Sequence, residues 1–298
     1  MKRKLLAMVL TLAIGATMIA GCGEKAETTA PSASSTETSV ETSTEASTEE
    51  TEATEEATGL LAKIKESGKI VVGTASGYPP YEFVDITSAD QAIIGVDIEL
   101  AKAIAEELGV TLEVQDMSFS ALLAAIPVGK VDVAIAGVAP TDERKETMDF
   151  SDSYLFAEQS VIIRKEDAEK YKVLSDFEGA TLAAQMSTTQ EKLVQELLPE
   201  NPLASLEKVP DCILELKNGK VAGVVVESIV GQQYILADDT LQFAEANFDR
   251  KKESAIVIAK GNEDLVAILN SVIKANQDAG NFEKWVMEYS QIVADNAK

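Results

Sequence analysis

The sequence predicts an α/β fold from Leu60 onward, and three observations carry that prediction. Short runs rich in β-branched residues alternate along the chain with amphipathic segments of helical period. A helix followed by a Gly-Lys turn and then a strand occurs twice. The same order of segments is found in both halves of this region. Such alternation predicts a mainly parallel sheet with helices on its faces.

The first half contains five predicted elements. Strands are expected at 69–75 (KIVVGTA), 111–117 (TLEVQDM) and 131–138 (VDVAIAGV), because each is a short apolar run. Between them, 96–110 (VDIELAKAIAEELGV) has apolar residues at helical spacing, and 119–130 (FSALLAAIPVGK) forms a second helix that ends in its Val-Gly-Lys turn.

The second half repeats this plan. Strands are expected at 179–185 (GATLAAQ) and 221–227 (VAGVVVE), with helices at 188–198 and 211–220. The stretch LLAAIPVGKVDVAIAG in the first half parallels ILELKNGKVAGVVVE in the second, which indicates two lobes on one plan. Helix-glycine-strand units are common in α/β proteins, so this repeat supports two lobes without establishing them.

Composition excludes several functions. The chain has 298 residues, a net charge of −24, two cysteines and no histidine, so it can bury one or two cores. Without histidine there can be no Ser-His-Asp or Cys-His nucleophilic site, no HExxH zinc site and no histidine pH switch. The acidic balance, with no basic cluster, argues against a nucleic-acid partner. We expect no cofactor and no metal.

Residues 1–21 are predicted to be a signal peptide that lies outside the fold. MKRKLLAMVLTLAIGATMIAGC has three basic residues, an apolar run too short to span a membrane comfortably, and small residues before Cys22. This resembles a bacterial lipoprotein signal, with Ile19-Ala20-Gly21-Cys22 as the lipobox and diacylglycerol on the Cys22 thiol. The alternative is an ordinary secretory signal with an incidental cysteine. A lipid would anchor the protein at the extracytoplasmic face of the cell membrane without spanning it.

Residues 22–58 are predicted to be a tether. After the cysteine the segment consists almost entirely of Ser, Thr, Glu and Ala, which cannot fill a core. We expect it to be disordered, extended by its like charges, and to hold the folded part clear of the bilayer.

Residues with ligand-binding chemistry follow the predicted strands. In open parallel sheets, ligands gather at the carboxyl ends of strands. The loops at these ends contain Tyr78, Tyr81, Phe83, Arg144, Ser187, Thr188, Thr189, Gln190 and Glu227. An aromatic surface, a guanidinium group, a hydroxyl-rich helix start and a carboxylate together fit a small zwitterion.

Arg144 has an unusual place in its helix. Thr141 is predicted to be the N-cap, so Asp142, Glu143 and Arg144 occupy the first turn. This end of a helix carries partial positive charge and favours acids. We therefore expect Arg144 to meet a ligand carboxylate, the alternative being a surface ion pair with Asp142 or Asp149.

Several other candidates have structural alternatives. Glu227 could pair with a lysine as readily as it could contact a ligand. Thr188 is expected to be the N-cap of its helix, while the two residues that follow face the ligand. Tyr81 and Phe83 are expected to pack in the core, whereas Tyr78, beside two prolines, is the better cleft residue.

Residues 60–298 resemble type II periplasmic-type solute-binding proteins of ABC importers, in the polar amino-acid group. The resemblance covers the whole predicted fold in the right order. It is carried by the stretches GKIVVGTASGYPPYEF, GVDIELAKAIAEELGVTLEVQDMSFSALLAAI, GKVDVAIAGVAPTDERKETMDFSDSY, STTQEKL and GNFEKWVMEYS.

This resemblance implies a two-lobed fold with two crossing hinge strands and a ligand cleft between the lobes. Lobe one would comprise 59–157 and 246–298, and lobe two 158–245, with crossings near 157–159 and 243–246. A free, polar amino acid would bind in the cleft, and the lobes would close over it by hinge motion. The partners implied are a membrane permease and an ATPase, since the chain has no GxxxxGK[ST] sequence of its own. We expect a monomer.

The resemblance also implies how the carboxylate end of the ligand is held. Arg144 would grip the α-carboxylate, helped by backbone amides around Ala139 and Thr189. Gln190 would face the ligand from the same helix start.

The rest of the ligand would meet four other residues. An acid at the position of Glu227 and a carbonyl near Gly137 would take the α-ammonium group. Tyr78 and Phe119 would flank the side chain.

Three departures from the family pattern bear on specificity. Glu227 replaces the usual aspartate and stands one methylene further out. Ala136 and Ala139 replace serine or threonine, which leaves only backbone groups there. Ala75 replaces an acid found in members that bind basic side chains. We therefore expect an amino acid, and not a basic one.

Two functions compete with an import receptor. One is a dehydratase-type enzyme for a small carboxylate on the same scaffold, with Glu227 as acid or base. The other is a surface sensor. The lipobox, the tether and the lack of an evident acid-base pair favour a receptor that is not an enzyme.

Overall fold

The computed structural model describes residues 59–296, where strands and helices alternate as predicted. The strands are β1 (Lys69–Thr74), β2 (Phe83–Val84), β3 (Ile93–Ile94), β4 (Thr111–Asp116), β5 (Val133–Val138), β6 (Met148–Arg164), β7 (Leu182–Gln185), β8 (Leu203–Leu206), β9 (Gly223–Glu227) and β10 (Leu241–Ala259). The helices are α1 (Gly59–Ser67), α2 (Val96–Leu108), α3 (Phe119–Ala125), α4 (Asp142–Lys145), α5 (Thr189–Leu197), α6 (Val209–Lys217), α7 (Ser228–Ala237), α8 (Glu263–Asp278) and α9 (Asn281–Asn296). Two 3-10 helices span Lys165–Lys170 and Leu174–Phe177.

The elements predicted from the pattern are all present, with ends that differ by a few residues. The largest difference is α3, which ends at Ala125 although the pattern extends to residue 130. Pro127 explains the early end, because proline lacks the N–H that a continuing helix needs and restricts the residue before it. The predicted signal peptide, tether and lipidation site at Cys22 lie outside the described residues.

The expectation of a mainly parallel sheet needs correction, because the eight-stranded sheet is mixed. Its order is β4-β1-β5-β10-β6-β9-β7-β8. The outer groups β4-β1-β5 and β9-β7-β8 are parallel. Between them, β10 and β6 pair antiparallel with each other and with the neighbouring groups. The two parallel units are therefore joined by a central antiparallel pair.

These two central strands are the longest elements, with 17 residues in β6 and 19 in β10. The family resemblance implies crossing strands here, but the sequence pattern alone did not reveal their length. Their pairing register shifts repeatedly between Phe243 and Val257. A strand can bend and twist where its pairing is interrupted. The two strands can therefore connect the parallel groups at the two ends of the sheet.

The loop after β1 is docked onto the start of α2. The N–H groups of Val96 and Asp97 donate to the carbonyls of Pro80 and Tyr81, at 3.0 and 2.9 Å. Gly95 precedes the helix with φ 137°, and a Cβ there would lie 2.1 Å from the Tyr81 carbonyl oxygen. Only glycine fits this close approach. The contact fixes the loop that presents aromatic and acidic side chains to the cleft.

Cys212 is buried in α6 with a free thiol, in keeping with a small core hydrophobe. Within residues 59–296 no helix combines the length and the apolar character that crossing a bilayer requires.

Candidate ligand-binding site

A cleft opens where β1, β5 and β7 end. It holds about 320 Å³ of empty space, including solvent at its mouth. Its walls are formed by Ala75, Tyr78, Glu82, Phe119, Ala136, Gly137, Ala139, Arg144, Gln185, Thr188, Thr189, Gln190 and Lys252. The carboxyl ends of parallel strands thus converge on one pocket, as open α/β sheets do.

Seven of the eight ligand-binding residues predicted from the sequence line this cleft: Tyr78, Phe119, Gly137, Ala139, Arg144, Thr189 and Gln190. The eighth, Glu227, is fully buried at the end of β9 and is not part of the wall. Tyr81 and Phe83 are buried in the core, in agreement with their expected packing. Which of these residues contact a ligand stays a prediction.

Arg144 is oriented by two carbonyl groups. Its Nη1 donates to the Ala139 carbonyl and its Nη2 to the Ser187 carbonyl, both at 2.8 Å, and the guanidinium lies 5.5 Å from the centre of the Phe119 ring. Thr141 is the N-cap, accepting from the Arg144 N–H. Within residues 59–296, no carboxylate forms an ion pair with this guanidinium, so the expected alternative of a partner at Asp142 or Asp149 is not realised.

The charge on Arg144 persists despite burial. Burial lowers the pKa of the guanidinium to about 10, well above neutral pH. Arginine has five N–H groups in a rigid fork, and two of them make the carbonyl bonds. The others leave a positively charged donor set at the wall of the cleft, suited to a carboxylate.

The start of α5 faces Arg144 across the cleft. Thr188 caps this helix: its hydroxyl accepts from the Glu191 N–H at 3.2 Å and donates to the Gln185 carbonyl at 2.6 Å. Ser187 has φ 65°, and its N–H donates to the Glu191 carboxylate at 2.7 Å. This turn aims the Ser187 carbonyl at Arg144 and leaves the first-turn amides at Thr189 and Gln190 beside the cleft, where they favour an anion.

Lys252 lies in the cleft and was missed by sequence reasoning. Its Nζ lies 2.5 Å from Glu227 Oε2 and 3.3 Å from Ser254 Oγ, and the ion pair is almost completely buried. Nζ is also 5.5 Å from the centre of the Tyr78 ring. The structure thus realises the alternative that Glu227 pairs with a lysine. Lys252 belongs to the charged run DRKKES, which from sequence resembles an exposed surface.

Gly137 approaches this lysine closely. Its φ is 54°, and a Cβ there would lie 3.3 Å from both Lys252 Nζ and Tyr78 Cε1. Its N–H donates to Asp97 Oδ2 at 2.9 Å. Glycine therefore lets the end of β5 turn past the lysine while its backbone remains at the cleft wall.

Glu82 is the second cleft residue that the sequence analysis did not single out. Burial, reinforced by the nearby Asp97, holds the pKa of its carboxyl well above its usual range. Burial also raises the pKa of Asp97 to about 6, although the Tyr154 hydroxyl and Gly137 N–H donate to it. Glu82 therefore holds its proton to higher pH than an ordinary glutamate does. The sequence does contain a signal for this burial. In the stretch PPYEF, Glu82 lies between Tyr81 and Phe83, which were both expected to be buried.

Among residues 59–296, no group of three or more acidic or cysteine side chains is arranged to hold a metal ion. The polar groups of the cleft are instead cations, amides and hydroxyls, with one buried acid. Such a set binds a small anionic or zwitterionic molecule through hydrogen bonds and charge.

Comparison with known proteins identifies the family of this chain. Residues 70–291 match the bacterial extracellular solute-binding proteins, family 3. The arginine-binding extracellular protein ArtP of Bacillus subtilis is 32% identical over 74% of this chain and 86% of its own length. The structure of the amino acid ABC transporter substrate-binding protein AbpA from Streptococcus pneumoniae, bound to L-arginine, has a TM-score of 0.76 and 34% identity, covering 78% of this chain and 98% of that one.

A third similar structure bears on the enzyme alternative. The ancestral amino acid-binding protein AncCDT-1, a precursor of cyclohexadienyl dehydratase, has a TM-score of 0.72 and 29% identity, covering 78% of this chain and 99% of that chain. Its name describes a binding protein from which an enzyme descended.

The fold and the cleft define a two-lobed, type II periplasmic-type binding protein, which confirms the fold class predicted from the sequence. The chain belongs to the bacterial extracellular solute-binding proteins, family 3. Its role is that of a substrate-binding receptor, and its relatives are transport binding proteins.

Proposed function

We propose that this protein is the extracytoplasmic receptor of an ABC importer for a free amino acid, whose α-carboxylate binds Arg144. The observation that carries the proposal is the guanidinium of Arg144, which is charged, held by two carbonyls, and free of any carboxylate partner within residues 59–296. The fixed fork matches a carboxylate, and the amides at Ala139 and Thr189 add donors on either side. Similar proteins named for amino-acid binding support this ligand class.

The ammonium group of the ligand is proposed to reach Glu227 Oε1. Lys252 occupies Oε2, whereas Oε1 is buried and has no hydrogen-bond partner in the part of the chain described. A buried carboxylate oxygen without a donor is unfavourable until a donor arrives. The carbonyl of Gly137 is proposed as the second acceptor. Tyr78 and Phe119 would hold the ligand side chain between their rings, with Gln190 alongside.

The proposed lobes are 59–157 with 246–298, and 158–245. The two parallel strand groups at opposite ends of the sheet support this division, since β6 and β10 connect them. Closure of these lobes over the ligand would present the loaded receptor, acting as a monomer, to a permease driven by a separate ATPase. We propose no catalytic role, because the cleft wall pairs two cations with a single acid, and burial disfavours the ionised form in which that acid would act as a general base.

The protein is proposed to act outside the cytoplasm, attached by a lipid on Cys22. Membership of an extracellular solute-binding family supports the extracytoplasmic site of action. The lipobox-like stretch Ile19-Ala20-Gly21-Cys22 and the polar segment 22–58 support a tethered anchor.

A thermal-shift screen of the purified protein against the common amino acids, cystine and small dicarboxylates tests the function. A ligand that binds only the folded state raises Tm, by an amount that corresponds to about 2.7 kcal/mol at a hundredfold excess over Kd. We expect one amino acid or a few to raise Tm, and Arg144→Ala to abolish the rise. Retained binding by Arg144→Ala would refute the carboxylate assignment. No rise with any amino acid, combined with turnover of a small carboxylate, would favour the enzyme alternative.

A further inference from the structure

Lys252 places a positive charge inside a cleft whose ligand must already bring an ammonium group. The side chain comes from β10, is almost fully buried, and is part of the cleft wall. Its Nζ lies beside the rings of Tyr78 and Tyr81, at 5.5 and 5.6 Å from their centres. Because Tyr78 also lines the cleft, the ammonium group of Lys252 adjoins the space that a ligand side chain would enter.

Within residues 59–296, the wall of the cleft contains one acid, Glu82. Glu227 is engaged by Lys252 through Oε2, and the hydroxyls of Tyr78 and Tyr81 lie close to the same carboxylate. Glu82 lines the cleft, and burial raises the pKa of its carboxyl well above its usual range. Asp97 lies behind it and is occupied by the Tyr154 hydroxyl and the Gly137 N–H. A cationic side chain would therefore meet the positive charges of Arg144 and Lys252, beside a buried acid whose ionisation is disfavoured.

Lys252 can in contrast donate to a ligand. An ammonium group has three N–H donors, and Glu227 Oε2 and Ser254 Oγ take two of them. The third can meet a carbonyl or carboxylate oxygen in the cleft. In a site that excludes water, both this attraction and the repulsion of a cation are stronger than at an exposed surface.

We propose that Lys252 is a specificity-determining residue, which directs the cleft to amino acids whose side chain ends in a carboxylate or carboxamide and against those with a cationic side chain. This proposal rests on the proposed function, since it assumes that an amino acid binds with its carboxylate at Arg144. It separates this chain from similar proteins whose names give arginine as the ligand.

Titration calorimetry of the full-length protein with L-glutamate, L-glutamine and L-arginine at neutral pH tests the proposal. We expect the wild type to bind glutamate or glutamine roughly tenfold or more tightly than arginine. In Lys252→Met, which removes the charge and leaves Glu227 unpaired, this preference should shrink by roughly tenfold or more. The matched control is Lys251→Met, because Lys251 is the exposed neighbour on the same strand.

Each result has one meaning. If the wild type binds arginine as tightly as glutamate and glutamine, the specificity proposal is wrong while the amino-acid receptor stands. An unchanged preference in folded Lys252→Met, or an equal change in Lys251→Met, also refutes it. The comparison of the three ligands on the wild type needs no variant. The proposal can therefore be refuted even if Lys252→Met does not fold. If none of the common amino acids binds the wild type, the proposed function fails and this proposal falls with it.

Discussion

Glu82 links the stability of this protein to pH, as does the neighbouring buried carboxyl of Asp97. In the unfolded chain Glu82 ionises near its ordinary pKa of 4.5, whereas in the fold, burial and Asp97 keep it protonated to much higher pH. Above 4.5 the folded state therefore binds more protons at this site than the unfolded state. The contribution of Glu82 to stability falls as pH rises, until the folded-state pKa is passed.

Glu82→Gln removes the contribution of Glu82 and leaves that of Asp97, because glutamine resembles the protonated acid and does not titrate. We expect the variant to gain stability relative to the wild type as pH rises from about 5 to about 7, by up to about 1.4 kcal/mol per pH unit. Urea unfolding at several pH values measures the difference. Glu107→Gln, at an exposed position on α2, should show no such trend. A pH-independent difference between Glu82→Gln and the wild type would contradict the assignment.

The sequence alone predicted the cleft residues that lie in the loops after predicted strands. It did not predict Lys252 and Glu82, which reach the cleft because the tertiary fold buries them there. Arg144 was predictable, because an arginine in a helical first turn is electrostatically out of place. Lys252 was not predictable, because its neighbours in DRKKES are charged and the run resembles an exposed surface. In the fold, the path of β10 directs this one side chain inward. Glu227 was predicted from its strand end, but its partner depended on a strand 25 residues away.

At the level of helices, the start of α5 is held by its N-cap, Thr188. Thr188 satisfies the Glu191 N–H and ties the helix start to the Gln185 carbonyl at the end of β7. Thr188→Ala should lower the free energy of unfolding by about 1 kcal/mol, the ordinary effect of losing an N-cap. Denaturant unfolding gives the value.

Thr189→Ala is the matched control for this prediction. The Thr189 hydroxyl contacts only the side chain of its neighbour Gln190 among the described residues, at 3.3 Å, and caps nothing. We expect it to cost less than Thr188→Ala. An equal loss in both variants would mean that the cap does not govern the stability of α5.

The presence of individual helices and strands was predictable, because the spacing of apolar residues and the residues of the turns specify each element locally. The strand at β5 and the helix at α2 appear within two residues of their predicted bounds. The antiparallel pairing of β6 and β10 could not be recognised in the sequence, because buried and exposed residues do not alternate regularly along either strand. Each strand packs against different neighbours at different points along its length, and its burial pattern changes with them. Which strands pair is decided by contacts between distant segments, so the mixed sheet could not be derived from local pattern.

Across the whole molecule, weak polar contacts span the cleft between the two proposed lobes. Arg144 reaches the Ser187 carbonyl, Glu143 pairs with Lys192, and the Tyr234 hydroxyl donates to the Gly77 carbonyl at 2.7 Å. The exposed ion pair between Glu143 and Lys192 contributes little, and the other two are single hydrogen bonds to carbonyl groups. A ligand bound to Arg144 on one side and to the α5 amides on the other would add the interactions that hold the cleft closed.

Spin labels on opposite sides of the cleft should therefore report ligand-driven closure. With Cys22 replaced by serine, labels at Glu146→Cys and Glu196→Cys, both exposed positions, are expected to move closer by more than about 2 Å when the amino acid that gives the largest thermal shift is added. A pair within proposed lobe one, at Glu146→Cys and Lys274→Cys, should keep its distance. Closure should disappear in Arg144→Ala, because that variant lacks the group that couples the ligand to both sides. An unchanged distance in the cross-cleft pair, under conditions where the ligand is bound, would show that the lobes form a rigid cleft and that binding needs no hinge.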